Sequence, residues 1–119
     1  MKWLNLLFLR CRDVDASRAF YECLGMTFAK HRHGSGPEHY AHEDDRGVFE
    51  LYPATPDAPA DATGLGFGAT DLAATADRLR AAGFAPGPTA DRPWGRTFVV
   101  RDPDGRRVEV KETTGDPTA

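Results

Sequence analysis

The sequence predicts an α+β fold made of two tandem βαβββ modules, and three observations carry that reading. Asp13 to Gly25 and Asp71 to Gly83 have identical spacing, with an apolar residue, Val14 or Leu72, just after each aspartate. Each of these stretches leads through hairpins to a strand with a glutamate between apolar neighbours, Phe49-Glu50-Leu51 and Val108-Glu109-Val110. Between the halves, Pro53 to Thr63 carries three prolines and four alanines and reads as a linker. The expected boundaries are module one at 1–53, linker at 54–63, module two at 64–113 and a C-terminal tail at 114–119.

Residues 3–11 look like a first strand with apolar residues on both faces, which predicts a central position in its sheet. Asp13 and Asp15 offer N-cap oxygens for a helix. Its buried stripe is expected at Ala16, Ala19, Phe20, Cys23 and Leu24, and Gly25 ends it. Strands follow at 27–32, 38–43 and 47–52, separated by Gly34-Ser35-Gly36-Pro37 and Asp44-Asp45-Arg46. In the second half a glycine-interleaved strand at 64–70 precedes a helix capped by Asp71, with Leu72, Ala76 and Leu79 buried and Gly83 at its end. Strands are then expected at 84–88, 97–101 and 107–112, the last two joined by the turn Asp102-Pro103-Asp104-Gly105. Gly66 and Gly68 read as points of close helix approach to the sheet.

At 119 residues the chain fits one domain-sized fold. A formal net charge of −3 and the absence of a basic stripe argue against nucleic acid. The N-terminal apolar run after Lys2 is too short to span a membrane and lacks a cleavage site, so a cytoplasmic protein is expected. Cys11 and Cys23 form no CxxC and read as small core residues.

Alternation places Phe49 and Leu51 on one face of their strand, and Val48, Glu50 and Tyr52 on the other. Val108 and Val110 likewise oppose Arg107, Glu109 and Lys111. The apolar pairs should pack beneath the helices, leaving both glutamates on the far side. All four histidines lie between positions 31 and 42. His31 and His33 share a strand face, and His39 and His42 take opposite faces of the next strand. A turn of two or four residues before Glu50 brings His39 to the glutamate's face; an odd number turns it away.

Two segments resemble the vicinal-oxygen-chelate superfamily, which includes glyoxalase I, bleomycin-resistance proteins and extradiol dioxygenases. They are Arg12-Asp13-Val14-Asp15-Ala16-Ser17-Arg18-Ala19-Phe20-Tyr21 with Leu24-Gly25-Met26, and Pro93-Trp94-Gly95-Arg96-Thr97-Phe98 through Arg101-Asp102-Pro103-Asp104-Gly105. The resemblance covers essentially the whole chain. It implies curled mixed sheets forming a cup, with the helices outside.

Metal-using members of that superfamily place their ligands at positions matching Leu6, Glu50, Leu65 and Glu109. Leucine donates no lone pair, and two carboxylates alone make a weak, unselective site. Dioxygenase chemistry is thereby largely excluded. The expectation is no cofactor and a cup floored by Leu6, Phe8, Leu65 and Phe67. Glu50 and Glu109 would supply acid, Tyr52 and Trp94 would stack on a planar or cationic organic ligand, and Arg96 would orient it. Like charges a few ångströms apart repel by about 4 kcal/mol at an effective dielectric of 20, so such a pair would hold a proton or welcome a cation. The function implied is metal-free sequestration of a small molecule by a homodimer. The alternative is a glyoxalase-class lyase or isomerase with Glu109 as its catalytic residue. Such an enzyme would use zinc, nickel, manganese or iron on a non-standard set of Glu50, Glu109 and His39.

Overall fold

The structure is a computed structural model describing residues 3–114. Lys2 and all but the first residue of the expected tail lie outside the described residues. The chain divides after Asp61 into two compact units, each a βαβββ module.

The first unit runs β1 (Leu6–Cys11), α1 (Val14–Glu22), β2 (Ala29–His31), β3 (His39–Asp44) and β4 (Gly47–Pro53). Its sheet has the order β1-β4-β3-β2, with β1 parallel to β4 and the other pairs antiparallel. β1 is therefore an edge strand of its sheet, where apolar residues on both faces predict a central one. Its run splits by face. Leu9 and Cys11 are buried, whereas Leu6 and Phe8 are about half exposed at 48% and 50%.

Asp13 caps α1 as expected, accepting from the backbone N–H groups of Asp15 and Ala16. The helix's buried stripe is Ser17, Phe20 and Tyr21, not one centred on Ala16 and Ala19. Tyr21 meets Phe49 edge-on at 5.0 Å, and that aromatic contact sets the helix's rotation on the sheet. Tyr40, on the same side of β3, donates to Asp15 Oδ1 at 2.6 Å. Gly25 ends the helix at φ 98°, a conformation glycine adopts without strain.

The second unit repeats the plan: β5 (Leu65–Ala69), α2 (Leu72–Ala81), β6 (Ala90–Arg92), β7 (Gly95–Arg101) and β8 (Arg107–Glu112), ordered β5-β8-β7-β6. Asp71 caps α2, and Leu72, Thr75, Ala76 and Leu79 are its buried residues. The strand expected at 84–88 is absent; its place in the sheet is taken by β6 at 90–92. Gly87 instead makes a single backbone bond to Val99 at 2.8 Å. The turn at Asp102–Gly105 forms as expected and closes over Arg106, whose side chain is fully buried against Asp102 and Asp104 at 3.1 and 3.3 Å.

Candidate functional site

Each sheet covers one face with its helix and leaves the other open. On the first sheet, Phe49 and Leu51 are buried on the helix side, so Val48, Glu50 and Tyr52 occupy the open face, as alternation required. Parallel pairing sets Phe8 beside Glu50 and Arg10 beside Tyr52.

The β3–β4 turn decides the histidine question. Asp44 pairs with Gly47, leaving Asp45 and Arg46 as the turn, and Ala41 pairs with Glu50. The loop is even, so His39 falls on the glutamate's face. Asp44 builds the turn by accepting from the N–H groups of Arg46 and Gly47 at 2.8 and 3.2 Å. The Arg46 bond is the main reason its carboxyl is held below the ordinary range, with His42 assisting.

His39 Nε2 lies 3.2 Å from Glu50 Oε2. The imidazole stacks on Tyr52 with centroids 4.2 Å apart and planes 10° from parallel. The Arg10 guanidinium stands 5.0 Å above the Tyr52 ring, and Phe8 meets that ring edge-on at 5.6 Å. His31, the register partner of His39, completes a row of stacked groups across the strands at 6.0 Å. Burial, and then the Glu50 charge, push the Tyr52 phenol above its ordinary value. Sequence reasoning missed Arg10, though its parity with Leu6 and Phe8 on β1 was a usable signal.

On the second sheet, Glu109 lies on the open face opposite the buried Val108 and Val110. Trp94, in the tight β6–β7 turn, donates its indole N–H to Glu109 Oε1 at 3.2 Å. A cavity of about 280 Å³ is lined by Gly66, Phe67, Gly68, Glu109, Lys111 and Thr113. The register pairs Glu109 with Gly66 and Lys111 with Gly68, whereas Leu65 and Phe67 pair with Val108 and Val110. The strand neighbour of Glu109 is thus glycine; Leu65 and Phe67 stand beside the buried Val108 and Val110 in register, and Phe67 also lines the cavity that Glu109 borders. A methyl group added at Gly68 would meet the Thr113 side chain, so that glycine makes room for a neighbouring side chain and not for a helix.

Arg96 also departs from expectation. It shares strand parity with the buried Phe98 and lines a different cavity, of about 310 Å³, with Asp71, Leu72 and Glu112 at the start of α2. Trp94 and Glu109 are brought together; Arg96 is not brought to them.

The positions that the resemblance marks for metal can be tested against this geometry. The repeat that aligns Asp13 with Asp71 aligns Leu6 with Gly64, one residue before Leu65. Glycine has no more to donate than leucine, and the register neighbours of the two glutamates are Phe8 and Gly66. The donor set does not fit a metal at those positions. Among the described residues, no group of three or more His, Cys, Asp or Glu side chains stands ready-arranged around a metal.

Several solved structures share the fold. The antibiotic binding protein TnmS3 from Streptomyces sp. CB03234 matches with a TM-score of 0.77 at 22% identity, over 96% of this chain and 98% of that one. A glyoxalase/bleomycin resistance protein from the same organism matches with a TM-score of 0.71 at 25% identity, over 92% and 100%. A lactoylglutathione lyase from Agrobacterium tumefaciens matches with a TM-score of 0.64 at 23% identity, over 94% of each chain. No curated protein sequence matches significantly. The sequence profile of the Glyoxalase/Bleomycin resistance protein/Dioxygenase superfamily matches residues 3–110, nearly the whole chain. The chain belongs to that superfamily.

Proposed function

We propose that the protein binds a planar organic molecule on the open faces of its sheets, without the metal that enzymes of the superfamily hold between their strands. The observation that carries this is the pairing, in each unit, of one carboxylate with exposed aromatic surface. Glu50 has Phe8 and Tyr52 beside it, and Glu109 has Trp94, which is 54% exposed. Large apolar groups left exposed around a few polar ones mark a ligand site more often than a bare surface. The carboxylates would accept hydrogen bonds from an amine, amide or hydroxyl of the ligand, and the exposed Phe8 and Trp94 rings would stack on its plane, with Tyr52 held between His39 and Arg10 as their support. Binding of an antibiotic by TnmS3 is consistent with this reading. The reading also carries a cytoplasmic location and a homodimer, the latter open to sedimentation.

The test is a thermal-shift and tryptophan-fluorescence screen of planar aromatic compounds against chelator-treated protein. A saturable stabilisation is expected, since a ligand that binds only the folded state raises its stability by mass action. Trp94→Ala and Phe8→Ala should each weaken it, by about tenfold for each 1.4 kcal/mol of stacking lost. Saturable binding that neither substitution weakens would refute the assignment. Metal-dependent turnover of a hemithioacetal, abolished by Glu109→Gln, would replace it with the lyase or isomerase reading.

A further inference from the structure

We propose that the β2–β3 hairpin of the first unit is a binding site for a borderline divalent ion such as zinc, nickel or copper, held by His31, His33 and His39. This site is independent of the ligand reading above and uses none of the positions where the superfamily places its metal.

The hairpin supplies the donor geometry. His31 ends β2, and His33 follows two residues on, at the start of the turn closed by the Gly36 N–H on its carbonyl. His39 is the antiparallel register partner of His31, and directly opposed residues are the closest cross-strand neighbours in a sheet. The three imidazoles form a triangle, with centroids 6.1 Å (His31–His33), 6.0 Å (His31–His39) and 5.2 Å (His33–His39) apart. Three imidazoles with a fourth position left open is the donor set of an open zinc site, and imidazole suits the other late first-row ions as well.

A second observation points to a ligand. His39 is only 2% exposed, yet its Nε2 has no hydrogen-bond partner. Glu50 Oε2 is 3.2 Å away but outside hydrogen-bond alignment. The other ring nitrogen, Nδ1, is 3.3 Å from the Pro37 carbonyl. Donation of Nδ1–H to that carbonyl fixes the tautomer and leaves the Nε2 lone pair free, the arrangement in which metal-binding histidines are usually held. Glu38 engages both Lys30 and Arg32, at 3.4 and 3.5 Å, and so offsets part of their charge beside the hairpin, where solvent screens the remainder.

As they stand, the three rings do not converge on one point. His31 and His33 are exposed, so both can rotate onto an ion anchored at the buried His39. The site is closed by the metal and not prebuilt.

The test is calorimetric titration of the tag-free, chelator-stripped full chain with zinc, alongside cobalt(II) absorption as a report on coordination. One ion per chain is expected, with visible cobalt bands of a low-coordinate site. Outer partners of metal ligands alone are worth about 10–100-fold in affinity, so His31→Ala and His33→Ala should each weaken zinc by at least that much. Both residues are exposed, and circular dichroism will confirm that the variants fold. Absence of saturable binding overturns the proposal. So does binding that survives both substitutions, or binding that Glu109→Gln abolishes while the histidine variants retain it.

Discussion

His39 and Glu50 face each other on the open side of the first sheet with Nε2 3.2 Å from Oε2, and the imidazole is the more deeply buried partner. With Nδ1 directed at the Pro37 carbonyl, neutral His39 turns a lone pair toward a carboxylate. Two acceptors at that distance are satisfied only by a proton between them. Glutamine at position 50 supplies a donor without needing that proton. Glu50→Gln is therefore expected to leave stability unchanged or raise it by about 0.5–1.5 kcal/mol, the net worth of one hydrogen bond, as read by urea denaturation at neutral pH. A clear loss of stability would mean that the pair acts as an imidazolium–carboxylate ion pair.

Arg106 is the most deeply committed charge in the second unit. Its side chain and that of Asp102 are both 0% exposed, and Asp104 is 1% exposed beside them. Asp102 also accepts from the backbone N–H groups of Asp104 and Arg106 at 2.9 Å each. Removing the guanidinium would strand buried carboxylates, so Arg106→Met should destabilise by about 3–5 kcal/mol despite its similar volume. Adding Asp102→Asn and Asp104→Asn should restore part of that loss. A single-variant loss below about 1 kcal/mol would show that water reaches the turn, because exposed ion pairs are worth no more than that.

The sequence made the repeat legible because the signals were local: two capping aspartates, two terminating glycines and two glutamates between apolar residues. Alternation assigned the faces of β4 and β8 correctly for the same reason. What stayed hidden depended on partners distant in sequence. β1 reads as central because apolar residues occupy both of its faces, and only its pairing with β4 alone reveals an edge. Leu65 and Phe67 were assigned to the Glu109 face by their likeness to Leu6 and Phe8, but the register with β8 shifts that face onto Gly66 and Gly68. Arg96 sits two residues from Trp94, yet Trp94 lies in the β6–β7 turn and reaches Glu109, whereas Arg96, inside β7, shares the face of the buried Phe98. His39 was resolvable in principle, since only the parity of one loop was undetermined.

That loop rests on Gly47. Its φ is 149°, and a Cβ there would run into the Asn5 carbonyl, with the Asn5 carbonyl carbon 2.8 Å away. Both strain and overlap oppose a side chain, so Gly47→Ala should destabilise by about 1–3 kcal/mol. Gly25→Ala provides the comparison: its φ is also positive at 98°, but nothing lies within 4 Å of the added methyl. It should show the smaller loss, about 1 kcal/mol. Equal losses in thermal or urea melts would mean that the Asn5 contact contributes nothing. Inserting one residue between Asp45 and Arg46 should move His39 off the Glu50 face and remove the tyrosine stack.

Alkaline pH should loosen the first unit through two of its tyrosines, the buried Tyr40 and the half-buried Tyr52. The Tyr40 phenol is raised above its ordinary value of 10.0, first by its hydrogen bond to Asp15 and then by burial. Tyr52 is raised from the same value, first by burial and then by the Glu50 charge. Lys30 is likewise held above its ordinary value of 10.5, chiefly by Tyr40. In each case the folded state keeps its proton at a pH where the unfolded chain has begun to lose it. The unfolded state then binds fewer protons, so stability falls as pH rises. The contribution is whole below pH 10.0 and is lost as pH climbs through the higher folded-state values. Urea midpoints measured between about pH 8 and pH 11, spanning the ordinary phenol range, should decline steeply at the upper end. Tyr40→Phe should lower stability at neutral pH by about 1 kcal/mol through loss of the Asp15 bond, and should flatten the alkaline decline. A decline of unchanged steepness in that variant would assign the pH dependence to groups other than Tyr40.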